Sequence, residues 1–152
     1  MAVSTPTPTG TPTTKPVSST GRRVGYAIAA AINVVLLYLV NVRPGWEVLP
    51  FLTEDTTAVL GLVNLSMAAG VVVNALWVVA DPPWFHALGQ LTLSGITLVA
   101  AVQILTVFPF DFSSWAFDPS WLVRFVLIVT VIGTGISMLV ELVRLVRGLL
   151  GR

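Results

Sequence analysis

The sequence predicts an all-α, polytopic membrane protein: a four-transmembrane-helix bundle that follows a disordered N-terminal tail. A mean hydropathy of +0.90, with 55% hydrophobic and 10% charged residues among 152, describes a chain whose solvent is mostly lipid. Two uncharged apolar runs, residues 57–80 and 84–108, flank Asp81 and two prolines. At about 1.5 Å per residue, each run can cross a hydrocarbon core roughly 30 Å thick as a helix. Because Pro82 and Pro83 lack N–H donors, the runs form a hairpin rather than one helix.

The composition also excludes several classes of function. A net charge of +1 provides no basic stripe of the kind that nucleic-acid-binding proteins use. The chain has no cysteine and only one histidine, which excludes disulfides, thiolate nucleophiles, bis-histidine haem and His/Cys zinc sites. Neither a metal cluster nor a nucleophile beside a base is visible in the sequence. We therefore expect no enzyme activity and no cofactor.

Residues 1–21 are rich in Thr, Pro and Ser and have almost nothing to bury. Burial cannot offset the entropy of ordering such a segment, so we expect it to be disordered. Arg22 and Arg23 follow this segment and directly precede an apolar run that is long enough to span a membrane. This run is not followed by a small-residue cleavage site and a soluble domain. The first span is therefore predicted to be retained rather than removed as a signal peptide, within a transmembrane domain of residues 22–152.

Four spans are predicted in this domain, at about residues 24–42, 57–80, 84–108 and 121–143. In the first, Gly25, Ala29 and Asn33 recur at four-residue spacing, which on a helix forms a narrow ridge where another backbone can approach. Pro119 and Ser120 are typical of a helix entry and begin the fourth. This last apolar run is longer than a bilayer needs, so either the helix tilts or its last turns emerge as a basic amphipathic end.

The loops after the first and third spans are aromatic. One reads RPGWEVLPFLTEDTT and the other PFDFSSWAFDPSW. Loops of this composition belong at the headgroup level of a membrane or against the bundle, with Trp46 as an interfacial anchor.

The basic residues predict the orientation of the chain. With the N-terminus in the cytoplasm, six of the eight basic residues lie inside, and only Arg43 and Arg124 lie outside. Both termini and the turn at Asp81 are then cytoplasmic. We expect a multi-pass protein of the cell membrane.

Polar residues inside the spans form a candidate polar seam: Asn33, Asn64, Asn74, Gln90, Ser94 and Glu141. Asn74 and Gln90 lie at the same depth, roughly 10 Å from the inner turn, and are predicted to pair. One interpretation of the seam is a path for an ion, a proton or a small polar solute. The other is hydrogen bonding between helices, which is favoured because no acid or base lies near the middle of a span.

Three ionisable residues near the span ends each have two interpretations. Glu141 is the only acid inside an apolar run, so it is either a proton-coupling carboxylate or the partner of Arg144, which is favoured. Arg124 either reaches the outer interface or pairs with Asp118, and substrate binding is the alternative. His86 is expected to be a solvated interfacial histidine rather than a pH sensor.

The corner DPPWF and the loop PFDFSSWAFDP resemble those of small four-span membrane proteins of actinobacteria. The resemblance covers about residues 22–147. It implies a four-span fold and no particular activity, cofactor or functional residue.

Two functions from different classes follow. The first is a non-catalytic integral membrane protein, an accessory or scaffold subunit that uses its helix surfaces and interfacial loops to bind a membrane-protein partner or a second copy of itself. The alternative is a small oligomeric channel or transporter that uses the polar seam, because four spans need oligomerisation to enclose a path.

Overall fold

A computed structural model describes residues 18–150, and within that range it consists of helices without a strand. The four long helices are α1 (Ser19–Asn41), α2 (Thr56–Val79), α3 (Pro83–Val107) and α4 (Ser120–Leu150). All four are long and apolar enough to cross a membrane, which confirms the predicted fold class. A single 3-10 turn, Trp46–Val48, lies between α1 and α2. Residues 1–17 of the predicted tail lie outside the described residues.

The helix ends follow from local chemistry. The Ser18 side chain accepts a hydrogen bond from the Gly21 N–H at 3.1 Å, so α1 begins at a serine cap, before the predicted start at residue 24. Pro83 is the first residue of α3, where its missing N–H costs nothing. Phe108, at φ 47°, ends α3 in the left-handed region. The fourth helix continues to Leu150, beyond the predicted span.

The helices pack in chain order. α1 contacts α2, α2 contacts α3 and α3 contacts α4. Within residues 18–150, no Cα atom of α1 lies within 8 Å of a Cα atom of α3 or α4. The bundle is therefore open, with α1 and α4 as its two edges.

Buried residues concentrate on the two central helices. Val59, Met67 and Trp77 of α2 and Ala100 and Ala101 of α3 are buried, whereas α1 has no buried residue. Large apolar side chains along α1 and α4 are instead exposed on the outside of the bundle. This pattern is expected where lipid rather than water surrounds the helices.

The two ends of the bundle differ. We call the end with the start of α1, the α2–α3 corner and the end of α4 the terminal face, and the opposite end the loop face. On the loop face, Leu52 and Phe110 form an isolated antiparallel bridge, and the Thr53 N–H donates to the Pro109 carbonyl at 3.1 Å. Phe112 is buried beside this bridge, with its ring 5.3 Å from that of Trp115. The two aromatic loops thus form one structure, which we call the loop cap.

Candidate functional site

A groove of about 1100 Å³ opens on the terminal face, between the start of α1, the α2–α3 corner and the end of α4. We call it the terminal groove. Its walls are mainly apolar and include Trp84, Leu88 and Leu145. Its polar side chains come from all three segments: Arg22, Tyr26, Asp81, His86, Glu141 and Arg144.

One wall of the groove is built around Asp81. Arg22 Nε lies 3.3 Å from Asp81 Oδ2, and the Tyr26 hydroxyl donates to the same oxygen at 3.3 Å. The Asp81 side chain is 14% exposed, so its charge needs these partners, whereas Arg22 is half exposed. The two bonds fasten the start of α1 to the α2–α3 corner.

An aromatic stack stands behind this wall. The His86 ring lies parallel to the indole of Trp77, with their centroids 4.2 Å apart, and the Tyr26 ring lies 5.3 Å from the same indole. Trp77 is buried, and its Nε1 has no hydrogen-bond partner among residues 18–150. Gly89 lies one turn after His86, and because it has no side chain, α3 packs closely against the indole of Trp77. His86 is therefore half-buried in a stack rather than solvated as predicted.

The opposite wall contains the ion pair that the sequence predicts. Arg144 Nη1 lies 3.3 Å from Glu141 Oε1, and the two side chains are 70% and 20% exposed. An exposed pair of this kind contributes little to stability. Its position matters more, because it places a second carboxylate and a second guanidinium on the terminal groove.

The predicted polar seam is divided between two helix interfaces. On the α1–α2 side, the Asn33 amide donates to the Ala29 carbonyl at 2.9 Å, and the Asn74 amide donates to the Gly70 carbonyl at 2.7 Å. Asn64 forms a reciprocal pair with Asn41, with N···O distances of 2.7 and 2.8 Å. Asn41 is not among the residues of the predicted polar seam, and hydropathy does not distinguish it, because it is the last residue of α1.

On the α3–α4 side, polar residues line a second cavity of about 280 Å³. They are Gln90, Ser94, Thr97, Thr134 and Ser137, with Gly133 beside them.

The predicted pair of Asn74 and Gln90 is wrong: the structure contains no hydrogen bond between them. Gly70, one turn before Asn74, faces Asn33 of α1, whereas Val73 and Trp77 face Gly89 of α3. Asn74 therefore lies on the side of α2 that packs against α1.

On the loop face, Arg124 and the acids of the loop cap have separate partners. The Arg124 guanidinium lies over the Phe108 ring, 3.8 Å from its centroid, in a cation–π contact rather than an ion pair with Asp118. The hydroxyl and the N–H of Ser120 hold the pKa of Asp118 below its usual range. The backbone N–H and hydroxyl of Ser113 lower the pKa of Asp111 in the same way. Both carboxylates are therefore charged at neutral pH and give the loop cap an acidic surface.

Comparisons with protein-family models, with curated proteins and with solved structures found no match, so the resemblance to small four-span membrane proteins of actinobacteria stays a prediction.

Proposed function

We propose that this integral membrane protein is a non-catalytic accessory or scaffold subunit that binds a membrane-protein partner or a second copy of itself. The observation that supports this most directly is the use of its intramembrane amides. Asn33, Asn41, Asn64 and Asn74 all bond to the chain itself, and Gln103 of α3 donates across to the Ala58 carbonyl of α2 at 3.1 Å. The Asn41–Asn64 pair and the Gln103 bond join two helices, whereas Asn33 and Asn74 bond to carbonyls of their own helices. In both cases the amide is already used by the chain and is not available to hydrate a path.

The surfaces of the open bundle support the same function. Because α4 packs only against α3, it exposes a long apolar stripe to its surroundings. Phe125, Ile132 and Leu139 of this stripe are 59%, 57% and 64% exposed and recur every seven residues, on one side of the helix. A hypothetical Cβ at the nearby Gly135 would meet no atom within 4 Å, so there is room for a partner helix to approach closely there.

One observation favours the alternative, a small oligomeric channel or transporter. Gln90, Ser94 and Thr97 line a cavity of about 280 Å³ together with Thr134 and Ser137. In an oligomer, this cavity could join its counterparts to form a polar path.

One experiment distinguishes the scaffold function from the channel function. The protein is purified from native membranes in a mild detergent, its mass is determined, and it is reconstituted into vesicles. A scaffold subunit elutes with a partner or as a homo-oligomer, and its vesicles conduct protons and monovalent cations no faster than empty ones. The Gln90→Leu variant has the same mass and the same low conductance. Solute flux that Gln90→Leu removes would overturn the scaffold function, and so would a lone monomer in every detergent tested.

A further inference from the structure

The terminal groove has features that a purely structural corner does not need. It places two guanidinium groups, two carboxylates and a histidine on mainly apolar walls, at the end of helices that are long enough to span a membrane. We infer that it binds one phospholipid whose headgroup contains both a phosphate and a primary ammonium, as in phosphatidylethanolamine. This ligand site is independent of the proposed scaffold function.

The charges of the groove favour a zwitterion over an anion. Arg22 and Arg144 are balanced by Asp81 and Glu141, so the lining has no net charge with His86 neutral. A basic pocket between helices is suited to anionic lipids, but here an anion would meet two carboxylates as well. A headgroup with both signs of charge finds a complement for each.

Each charged group keeps hydrogen-bonding capacity for such a ligand. Both bonds to Asp81 end on Oδ2, and the bond to Glu141 ends on Oε1, so within residues 18–150 one oxygen of each carboxylate has no hydrogen-bond partner. A primary ammonium has three N–H donors for these oxygens. Each guanidinium has five N–H donors and uses only one nitrogen in its ion pair, so the others can bind a phosphate.

The apolar walls and the position of the groove favour a lipid over a soluble headgroup. Its volume of about 1100 Å³ exceeds what a phosphate and an ammonium alone would fill, and Trp84, Leu88 and Leu145 provide a surface for acyl chains. Trp84 is 63% exposed at the start of α3, where a tryptophan marks the membrane interface. Since no Cα atom of α1 lies within 8 Å of a Cα atom of α4, the groove is open between the two helices, and a lipid can enter there from the bilayer.

Native mass spectrometry of the full chain in detergent tests this inference. Phosphatidylethanolamine, phosphatidylglycerol and phosphatidylcholine with identical acyl chains are titrated separately. One molecule of phosphatidylethanolamine should bind per chain, about tenfold tighter than either other lipid, because phosphatidylglycerol lacks the ammonium and the quaternary ammonium of phosphatidylcholine has no N–H to donate. Equal binding of the three lipids would overturn the assignment. So would competition by soluble glycerophosphoethanolamine at the same concentration as the lipid, because the site would then recognise a soluble ligand.

Two variants test the residues. Glu141→Gln and Arg144→Gln should each weaken binding of phosphatidylethanolamine about tenfold, the loss expected for one charge-assisted hydrogen bond. Arg147→Gln on the same helix and Glu54→Gln on the loop face do not touch the groove and should bind normally. The melting temperature without added lipid shows that each variant is folded, and Arg144 is exposed enough for its loss to be tolerated. Unchanged binding in both groove variants would contradict the inference.

Discussion

Single glycines determine how closely α1 and α3 approach α2. A Cβ built at Gly70 would lie 3.0 Å from side-chain atoms of Asn33, and one at Gly89 would lie 2.8 Å from Trp77 and from Val73. Gly61 lies in α2, as Gly70 does, and a Cβ there would meet nothing within 4 Å. Between membrane helices, where lipid is as apolar as the side chains, such close approach is a main source of attraction.

Gly89→Ala should therefore destabilise the protein by about 1–3 kcal/mol, the usual cost of overpacking a tight site. The new methyl group would meet the buried indole of Trp77, which is stacked on His86 and has little room to move. The free energy of unfolding in detergent, followed by far-ultraviolet circular dichroism, measures the loss. Gly61→Ala is the matched control and should be neutral or slightly stabilising, because alanine is a better helix former. Equal losses in both variants would show that the contact with Trp77 does not matter.

At the scale of the helices, the sequence predicted where they lie better than how they pair. The central spans were predicted at 57–80 and 84–108, and α2 and α3 differ from them by one residue at each end, because prolines mark the corner. The start of α1 was missed because hydropathy does not register a serine cap. The partners of the amides could not be predicted, because they depend on how each helix is rotated about its axis. A rotation by one residue moves a side chain about 100° around a helix.

The Asn41–Asn64 pair gives a prediction at this scale. Replacing either residue with Leu leaves the other amide without its partner, where lipid offers no replacement, and should cost about 0.5–2 kcal/mol. The double variant should cost less than the sum of the two single losses, because the second change removes an amide that has already lost its partner on the other helix. Unfolding free energies of the four proteins of this cycle measure the coupling.

A control cycle combines Asn64→Leu with Thr106→Val. The Thr106 hydroxyl donates to the Val102 carbonyl of its own helix, so these two changes should be additive. Strict additivity in the Asn41–Asn64 cycle as well would contradict the pair.

At the scale of the whole molecule, the terminal groove is a product of topology. Arg22, Asp81 and Glu141 come from three segments that are distant in the sequence, and nothing in the sequence predicts that they meet around one cavity. An even number of spans predicts that both termini lie on one face, but it does not predict that their side chains surround a cavity. That depends on the open packing, in which α1 and α4 stand apart as two walls. Sequence periodicity has no signal for such an arrangement.

The orientation of this face is the last prediction. Among the described residues, four basic residues lie at the terminal face (Arg22, Arg23, Arg144 and Arg147) and two at the loop face (Arg43 and Arg124), so the positive-inside rule predicts that the terminal face, with the groove, lies in the cytoplasm. The chain has no cysteine, so single cysteines can be introduced without a background. In intact cells, a membrane-impermeant maleimide should label Ser114→Cys in the loop cap, whereas Thr20→Cys and Ala80→Cys, both exposed on the terminal face, should react only after permeabilisation. The unsubstituted chain is the control and should not react. The reverse pattern would place the groove outside the cell, and partial labelling of all three sites would mean that the chain inserts in both orientations.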